Sequence, residues 1–273
     1  MPAVRSLLFM PGGRADMIAK IPRFAPDTAV VDLEDAVAPA EKDAARAIAA
    51  RAVDELGDTG RTTVLVRVNP PGTPAFADDV AAAAGCAASG IVVPKLGSLE
   101  QLTQVQDALA SHDWSDAIMV GGIEDALGVA DARQVAAGGL SAVYFGAEDY
   151  AADLGGRRTS RGDEVLYARS RVVLAAHLAG IPAIDQAVVG IGDDEQFQRD
   201  ADAGVALGYQ GKICLHPRQV ELAHLAFTPT ADEVAHARAV VVAAQRGVGV
   251  VDGQMVDDVH LRMALGVIAR SET

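Results

Sequence analysis

Eight short segments rich in Val, Ile and Leu recur along the chain and alternate with Ala-rich segments of helical periodicity. The first begins at residue 6 and the eighth at residue 209, so seven intervals of 29 residues on average separate them. Strands without polar alternation, each followed by a helix, form parallel sheets buried on both faces. The pattern predicts an α/β fold, a (β/α)8 barrel, whose typical length is about 250 residues. The predicted strands are residues 6–10, 28–34, 62–69, 90–95, 117–124, 142–149, 181–188 and 209–215.

The alternation of strands and helices does not by itself prove that the sheet closes. A doubly wound open sheet has the same alternation and is the alternative. Such a sheet often carries a glycine-rich phosphate loop. The chain has no GxGxxG or GxxxxGK[ST] sequence, and the GIG at Gly190–Gly192 lacks the third glycine. We therefore prefer the closed barrel, with helices predicted at residues 40–56, 99–111, 126–137 and 164–179.

The predicted barrel ends before the chain does. We assign residues 1–228 to the barrel and residues 229–273 to a C-terminal helical extension. This extension has no barrel position to fill, so it packs on its own barrel or covers the site of a neighbouring subunit. The sequence predicts a helix opened by the S/T-x-x-E pattern of Thr230 and Glu233, a turn at Asp252-Gly253, and a last helix over about residues 257–269.

Composition and charge exclude several classes of protein. Of the 273 residues, 50% are hydrophobic and 22% are charged, a balance that supports a large buried core and excludes disorder. A net charge of −14 argues against nucleic-acid binding through a general positive field. Neither Cys86 nor Cys214 has a metal or redox spacing. With no leader-like start and no uncharged apolar run of 18 residues, we expect a soluble, cytoplasmic protein with no membrane or nucleic-acid partner.

Charged side chains follow the carboxyl ends of the predicted strands, where (β/α)8 enzymes place their catalytic groups. Glu124 and Asp149 are one repeat apart, so their strands are neighbours. Two carboxylates at one point repel each other, and a hard divalent cation such as Mg²⁺ relieves the repulsion. Arg67 adds a forked donor for a substrate carboxylate. The full set at the strand ends is Asp32, Glu34, Asp35, Arg67, Asn69, Lys95, Glu124, Glu148, Asp149, Lys212 and His216.

Several of these residues also have a purely structural interpretation. Asp35, Asp125 and Asp149 can each be the N-cap of the following helix. Lys95 can be an ion-pair partner for an acid of strand 2. His216 precedes Pro217 at a helix start and is interpreted as a structural group rather than a base. The argument for a site therefore depends on the joint pattern of charged strand ends.

The motifs SLLFMPGGR, VVDLEDAV, VRVN, VVPK, GIEDALG, FGAEDYAADLG, KICLHPRQV and GQMVDD occur in this order along the chain. Together they resemble the HpcH/HpaI aldolase and citrate lyase family, in particular its citrate lyase β-subunit-like branch with malyl-CoA and citramalyl-CoA lyases. The resemblance implies that Glu124 and Asp149 bind Mg²⁺ and that Arg67 binds the keto-acid half of the substrate. It also implies that Arg14 and Lys20, in a locally basic segment, contact coenzyme A phosphates.

The resemblance assigns supporting roles to further residues. It implies that Glu34, Asp35 and Lys95 orient metal-bound water and Arg67. Asp257 matches an acid that the family delivers to a neighbouring subunit's site, commonly in a homotrimer or a dimer of trimers. The chain departs from the family at Asp125, where Thr or Ser is usual, and lacks the proline that often follows Asp257 by two positions.

The function implied is a magnesium-dependent carbon–carbon lyase. It would cleave a β-hydroxyacyl-CoA, such as malyl-CoA or citramalyl-CoA, into a 2-keto acid and an acyl-CoA, or form it from these two compounds. One alternative is a 2-keto-3-deoxy acid aldolase acting on free acids. Such aldolases typically carry a histidine in the strand 2 motif, where this chain has Asp35. Another alternative is a citrate lyase-type β subunit that depends on acyl carrier protein.

Overall fold

Eight parallel strands close into a barrel in which each strand pairs with its neighbours in chain order. The computed structural model describes residues 4–57, 59–244 and 247–271. The first strand pairs with both the second and the eighth, and these pairings close the sheet. The predicted barrel is confirmed, and the open-sheet alternative is wrong. The strands are β1 Ser6–Pro11, β2 Thr28–Asp32, β3 Thr63–Arg67, β4 Gly90–Val93, β5 Ile118–Ile123, β6 Ala142–Phe145, β7 Ala183–Asp185 and β8 Gly211–Cys214.

Helices follow the strands, and the four predicted between residues 40 and 179 are all present. Two of them, α5 (Leu99–Ala110) and α6 (Ala126–Ala136), begin at side-chain caps. Ser98 accepts a hydrogen bond from the N–H of Gln101, and Asp125 accepts one from the N–H of Gly128. The helices up to the end of the barrel are α1 Ala15–Ile18, α2 Ile21–Phe24, α3 Lys42–Glu55, α4 Phe76–Ala84, α5 Leu99–Ala110, α6 Ala126–Ala136, α7 Ala147–Asp153, α8 Leu166–Ala179, α9 Asp194–Leu207 and α10 Pro217–Phe227.

The sixth strand is shorter than predicted, and this changes the position of Asp149. β6 ends at Phe145, and Ala147–Asp153 forms α7 instead of continuing the strand to residue 149. Gly146 separates the two elements, and the alanines and Glu148 that follow favour a helix. The prediction that Asp149 ends strand 6 is therefore wrong, because it lies in the first turn of α7.

The barrel interior is filled by side chains from alternate positions of the strands. They are mainly small or branched and are fully or nearly fully buried, which is how barrels of this size are packed. Burial of each Val, Leu or Ile contributes about 1.5–3 kcal/mol to folding. The largest side chain of the cluster is that of Tyr144, at the carboxyl half of β6. The cluster consists of Val4, Leu7, Val30, Leu65, Val92, Val120, Ala142, Tyr144, Ile184 and Ile213.

Lys212 does not lie at the mouth of the barrel, where its position in strand 8 suggested it would be. Its ammonium group is fully buried and contacts Asp185 and Asp200. Arg169 pairs with the same two carboxylates. The four charges sum to zero and tie β7 and β8 to α8 and α9. Lys212 is thus part of a structural ion network, because its side chain alternates to the outer face of β8.

The chain divides into two compact units, one ending at Ala223 and the other beginning at His224. In the second unit, Glu233 accepts hydrogen bonds from Thr230, which confirms the predicted helix start. Asp252 and Gly253 both have positive φ, 51° and 78°, as the tight turn of a β-hairpin requires. The two strands of this hairpin were missed because each has only three residues. Its elements are α11 Ala231–Ala244, β9 Gly249–Val251, β10 Gln254–Val256 and α12 Asp258–Ser271.

A small core of its own holds the second unit together. It consists of Ala237, Val240, Val256 and Ala264. Whether residues 229–273 cover a neighbouring subunit's site stays a prediction. Among the described helices of the whole chain, none is both long and apolar enough to cross a bilayer.

Candidate active site

A cavity of about 440 Å³ opens at the carboxyl ends of the barrel strands. Charged groups from β2, β3, β5 and α7 reach it over an apolar wall that includes Phe9 and Leu215. A concave site with a few convergent polar groups is the usual form of a substrate pocket. The charged or phenolic side chains among its lining are Asp32, Asp35, Arg67, Glu124, Tyr144, Glu148 and Asp149.

Glu124 and Asp149 converge on this cavity, and Lys95 contacts both of them. The backbone N–H of Lys95 donates to Oε1 of Glu124 at 2.8 Å. Its Nζ lies 3.7 Å from Oδ1 of Asp149. Glu124 is only 3% exposed, whereas the side chain of Asp149 is 40% exposed. The cavity is therefore lined by one buried and one partly exposed carboxylate.

Gly146 allows the Glu124 carboxylate to reach this position. A Cβ at residue 146 would lie 2.3 Å from Oε2 of Glu124, far inside contact distance. A glycine is thus required between β6 and α7, and the carboxylate packs directly against the turn that leads to Asp149.

The electrostatics of Glu124 favour a cation. Burial, and then the charge of Asp149, raise the pKa of Glu124 to about 7, in spite of the attraction of Arg67. Among the described residues, no group of three or more His, Cys, Asp or Glu side chains forms a complete metal cage. Two carboxylates that leave room for water and ligand oxygens fit Mg²⁺, which keeps several water molecules. They do not fit a structural zinc site, which needs four protein ligands.

Arg67 is held rigidly beside the carboxylate pair. Its Nε and Nη2 donate to the two oxygens of Asp32 at 2.7 and 2.6 Å. Its Nη1 lies 2.9 Å from Oε2 of Glu34, and its guanidinium group stacks on Phe9 at 4.9 Å from the ring centroid. Burial acts to lower the pKa of Arg67, but the bonds to Asp32 outweigh it and the pKa is raised. The guanidinium is thus a fixed cation whose plane is set before any ligand arrives.

Asp32 is the site residue to which sequence reasoning gave no role. It also accepts backbone N–H bonds from Glu34 and Ala36, so it organises the loop after β2. Asp32 is the register partner of Arg67 across β2 and β3. The sequence signal that could have identified Asp32 is its opposite charge to Arg67 at the end of the neighbouring strand.

Lys95 and Glu34 form the next pair of contacts around the site. Nζ of Lys95 donates to Oε1 of Glu34 at 2.6 Å and lies 3.8 Å from Oδ1 of Asp35. Burial raises the pKa of Glu34, although Arg67 and Lys95 both oppose this. Lys95 has a φ of 52°, a left-handed conformation that is strained for a residue other than glycine. The interpretation of Lys95 as an ion-pair partner for a strand 2 acid fits these contacts.

Residues 5–217 match the sequence profile of the HpcH/HpaI aldolase/citrate lyase family. The chain belongs to this family. It is 48% identical over 271 residues to a citrate lyase subunit beta-like protein of Deinococcus radiodurans, covering 96% of this chain and 95% of that one. It is 32% identical to a (3S)-malyl-CoA thioesterase of Cereibacter sphaeroides, covering 98% and 94% of the two chains.

A solved structure shares the same architecture. It is CitE from Mycobacterium tuberculosis in complex with magnesium, acetoacetate and coenzyme A. The TM-score is 0.85 at 32% identity, covering 100% of this chain and 99% of that chain. Membership of the HpcH/HpaI aldolase/citrate lyase family makes the protein a lyase.

The structure does not bring every residue that the family resemblance singled out into the cavity. Arg14 and Lys20 are exposed on the segment after β1, and Arg14 pairs with Asp16 at 2.8 Å. Asp257 lies in the second unit, where its Oδ1 accepts a hydrogen bond from the N–H of Val259 at 2.9 Å at the start of α12. The coenzyme A role of the two basic residues and the role of Asp257 at a neighbouring site stay predictions.

Two further residues have a structural place in this family member. Asp125, which replaces the usual Thr or Ser, caps α6 by accepting the Gly128 N–H at 2.6 Å. The substitution therefore preserves the cap. His216 accepts the N–H of Arg218 through Nδ1 at 3.2 Å at the start of α10, in agreement with its structural interpretation.

Proposed function

We propose that this protein is a magnesium-dependent lyase that cleaves a β-hydroxyacyl-CoA, such as malyl-CoA or citramalyl-CoA, into a 2-keto acid and an acyl-CoA, or catalyses the reverse condensation. The observation that carries the proposal is the convergence of Glu124 and Asp149 beside an arginine that Asp32 already holds. The magnesium, acetoacetate and coenzyme A bound by the M. tuberculosis CitE protein support it. The name of the malyl-CoA thioesterase relative supports the class of substrate.

Glu124 and Asp149 would hold the Mg²⁺ ion in this proposal. When bound, Mg²⁺ supplies Lewis-acid stabilisation of negative charge on substrate oxygens. The Lys95 N–H fixes one oxygen of Glu124 and leaves the other available. The Asp149 carboxylate is more exposed than that of Glu124 and lines the same cavity from α7.

Arg67 would bind the carboxylate of the 2-keto acid half. Two of its N–H groups are occupied by Asp32, and the remaining donors can form charged hydrogen bonds to a ligand in the cavity. Because the guanidinium is already held in place, its reorganisation costs little as charge develops on the substrate.

In cleavage, the bond between the hydroxyl-bearing carbon and the carbon next to the thioester breaks. The hydroxyl gives its proton to solvent and its carbon becomes the keto carbon, while the electron pair of the broken bond forms the enolate of the acyl-CoA. The enolate then takes up a proton. We assign this proton transfer to Asp257 from a neighbouring subunit of a homotrimer or a dimer of trimers. Hydrogen bonds with His260 lower the pKa of Asp257, which suits its carboxylate to accept the proton in the condensation direction. In the cleavage direction, Asp257 would first take a proton from solvent and then give it to the enolate.

A second candidate is a citrate lyase-type β subunit, which the name of the D. radiodurans relative, a citrate lyase subunit beta-like protein, favours. In that case the acyl group would arrive on acyl carrier protein rather than on coenzyme A. The cavity residues and the cleaved bond would be the same.

One assay tests these alternatives. The purified protein is incubated with Mg²⁺ and a panel of β-hydroxyacyl-CoA esters, the same acyl groups on acyl carrier protein, and the free hydroxy acids, and the release of 2-keto acid is measured. We expect release from CoA esters, loss of release with a chelator, and loss of release in Asp149→Asn. The matched control is Asp153→Asn, which lies in the same helix and binds the N–H of Ala126 rather than lining the cavity. Release only from carrier-bound or free acids, or release that survives in Asp149→Asn, would contradict the proposal.

A further inference from the structure

Tyr144 has a buried hydroxyl group that the fold does not use. The residue is 2% exposed and belongs to the barrel core. Among the described residues, its hydroxyl has no hydrogen-bond partner. A buried hydroxyl without a partner destabilises a folded protein, so its retention requires an explanation.

The position of this hydroxyl depends on a glycine of the neighbouring strand. Gly122 on β5 pairs with Tyr144 on β6, and a Cβ at residue 122 would lie 2.3 Å from the Tyr144 hydroxyl oxygen. Gly122 and Glu124 are two residues apart and therefore share a face. The absence of a side chain at residue 122 leaves room for the phenol against β5, and Gly146 likewise leaves room for Glu124 beside the turn after β6.

Tyr144 is consequently a neighbour of the proposed metal ligand. Both residues line the same cavity, and the Tyr144 ring packs edge-on against Phe9 at a centroid distance of 6.3 Å. The pKa of an unperturbed tyrosine is about 10, well above neutral pH. The hydroxyl therefore keeps its proton and is a donor beside a carboxylate.

Glu124 for its part has an incomplete set of hydrogen bonds. Oε1 accepts the Lys95 N–H, while Oε2 packs against Gly146. Carboxylates that bind metals are usually oriented by hydrogen bonds from outer groups, and loss of such a partner typically weakens metal binding about 10- to 100-fold.

We infer that Tyr144 is a positioning residue for the metal site, whose hydroxyl donates to the Glu124 carboxylate when that carboxylate holds a divalent cation. The inference rests on the proposed function only for the presence of the metal. It explains why a phenol is kept in a barrel core where a phenylalanine would pack equally well. Glu124 would supply the acceptor that this buried hydroxyl otherwise lacks among the described residues.

The test compares three single variants by their affinity for Mn²⁺ alone, measured from the electron paramagnetic resonance signal of the free ion, and by their melting temperature in a chelator. In Tyr144→Phe we expect affinity to fall about 10-fold, with a melting temperature equal to or above that of the wild type. The matched control is Tyr209→Phe, because the Tyr209 hydroxyl is buried and donates to the Arg169 carbonyl at 2.7 Å. This control should melt at a lower temperature and bind Mn²⁺ as the wild type does.

The outcomes separate the inference from the proposed function. If the wild type does not bind Mn²⁺, or if Asp149→Asn binds it equally well, the metal site itself is wrong and the role of Tyr144 falls with it. If Asp149→Asn loses binding but Tyr144→Phe retains wild-type affinity, only the role of Tyr144 is wrong. A fall in melting temperature in Tyr144→Phe as large as in Tyr209→Phe would show that the hydroxyl has a partner within the protein, and would also overturn the inference.

Discussion

Replacement of Glu124 by glutamine should stabilise the metal-free protein at high pH. The pKa of Glu124 rises from its ordinary 4.5 to about 7, mainly through burial and then through the charge of Asp149. The folded protein therefore holds this proton more tightly than the unfolded chain. Its free energy of unfolding falls as the pH rises from about 4.5 to about 7 and is constant above that range. One pKa unit corresponds to about 1.4 kcal/mol, so ionisation of Glu124 costs the folded state about 3 kcal/mol.

Glutamine has nearly the same shape as glutamate and no charge to bury. Its side-chain oxygen can still accept the Lys95 N–H that Glu124 accepts at 2.8 Å. Glu124→Gln should accordingly raise the free energy of unfolding by up to about 3 kcal/mol at pH 8 in a chelator. At pH 4.5 and below the gain should vanish, because Glu124 is protonated in the folded wild type at that pH. The stabilisation by Mg²⁺ that we expect in the wild type should be absent from the variant.

Urea unfolding followed by the fluorescence of Trp114, the single tryptophan, measures these differences. The experiment needs the wild type and the variant at pH 4.5 and pH 8, each with a chelator and with Mg²⁺. Asp153→Asn serves as control, since it also removes one carboxylate charge but outside the cavity, and it should show no gain at pH 8. Equal or lower stability of Glu124→Gln at pH 8, or a gain of the same size at pH 4.5, would refute the electrostatic reasoning.

Three further predictions follow from contacts around the site. Arg67→Lys should lower kcat/KM roughly 10- to 100-fold in steady-state kinetics, because a lysine cannot keep the bidentate contact with Asp32 and also present a planar donor to the substrate. Asp257→Ala chains and Arg67→Ala chains, each inactive alone, should regain activity when they are mixed and reassembled, since one type of site in the mixed oligomer has both residues intact. Arg158→Gln should weaken Mg²⁺ binding several-fold in calorimetry, because Arg158 donates to Glu148 at 2.9 Å and so holds the first turn of α7.

Each of these three has its own control and contrary result. For Arg158 the control is Arg161→Gln, which removes an exposed arginine paired with Asp163 at 2.8 Å. Equal Mg²⁺ affinity in both arginine variants would contradict a role in orienting α7. A verified mixed oligomer without activity would count against sites shared between subunits. Wild-type kinetics in Arg67→Lys would mean that the paired donors of the guanidinium group are not needed for substrate binding or catalysis.

The barrel could be predicted because its signal is local and repeated. Each buried strand is an apolar run, and the spacing of the runs leaves room for one helix between them. Glu124 could be located for the same reason, since it follows directly on such a run. Asp149 was placed on the strand because FGAED continues an apolar segment, and Gly146 was not interpreted as the point where a helix takes over.

Contacts that join distant parts of the chain were harder to predict. The Asp32–Arg67 pair depends on the register between β2 and β3, which no single segment encodes. The sequence predicts Lys212 at the barrel mouth, but the direction of its side chain depends on the alternation within β8, and there it points outward. The sequence does not single out Tyr144, for a different reason. In the sequence it is one more apolar residue of a buried strand, and only its distance from Gly122 makes its hydroxyl noticeable.

Lys95 contributes two chemically separate groups, a main-chain amide that contacts Glu124 and an ammonium that contacts Glu34. The amide contact depends on the left-handed turn of the backbone at this residue, and asparagine or glycine adopts that turn more readily than lysine does. A scan by alanine or asparagine would therefore reveal the contribution of the ammonium alone. The contribution of the amide would not be detected by such a scan, because every residue except proline has the same N–H group. A family member with a different residue at this position could therefore keep the main-chain hydrogen bond to the glutamate, although its sequence would no longer show the lysine.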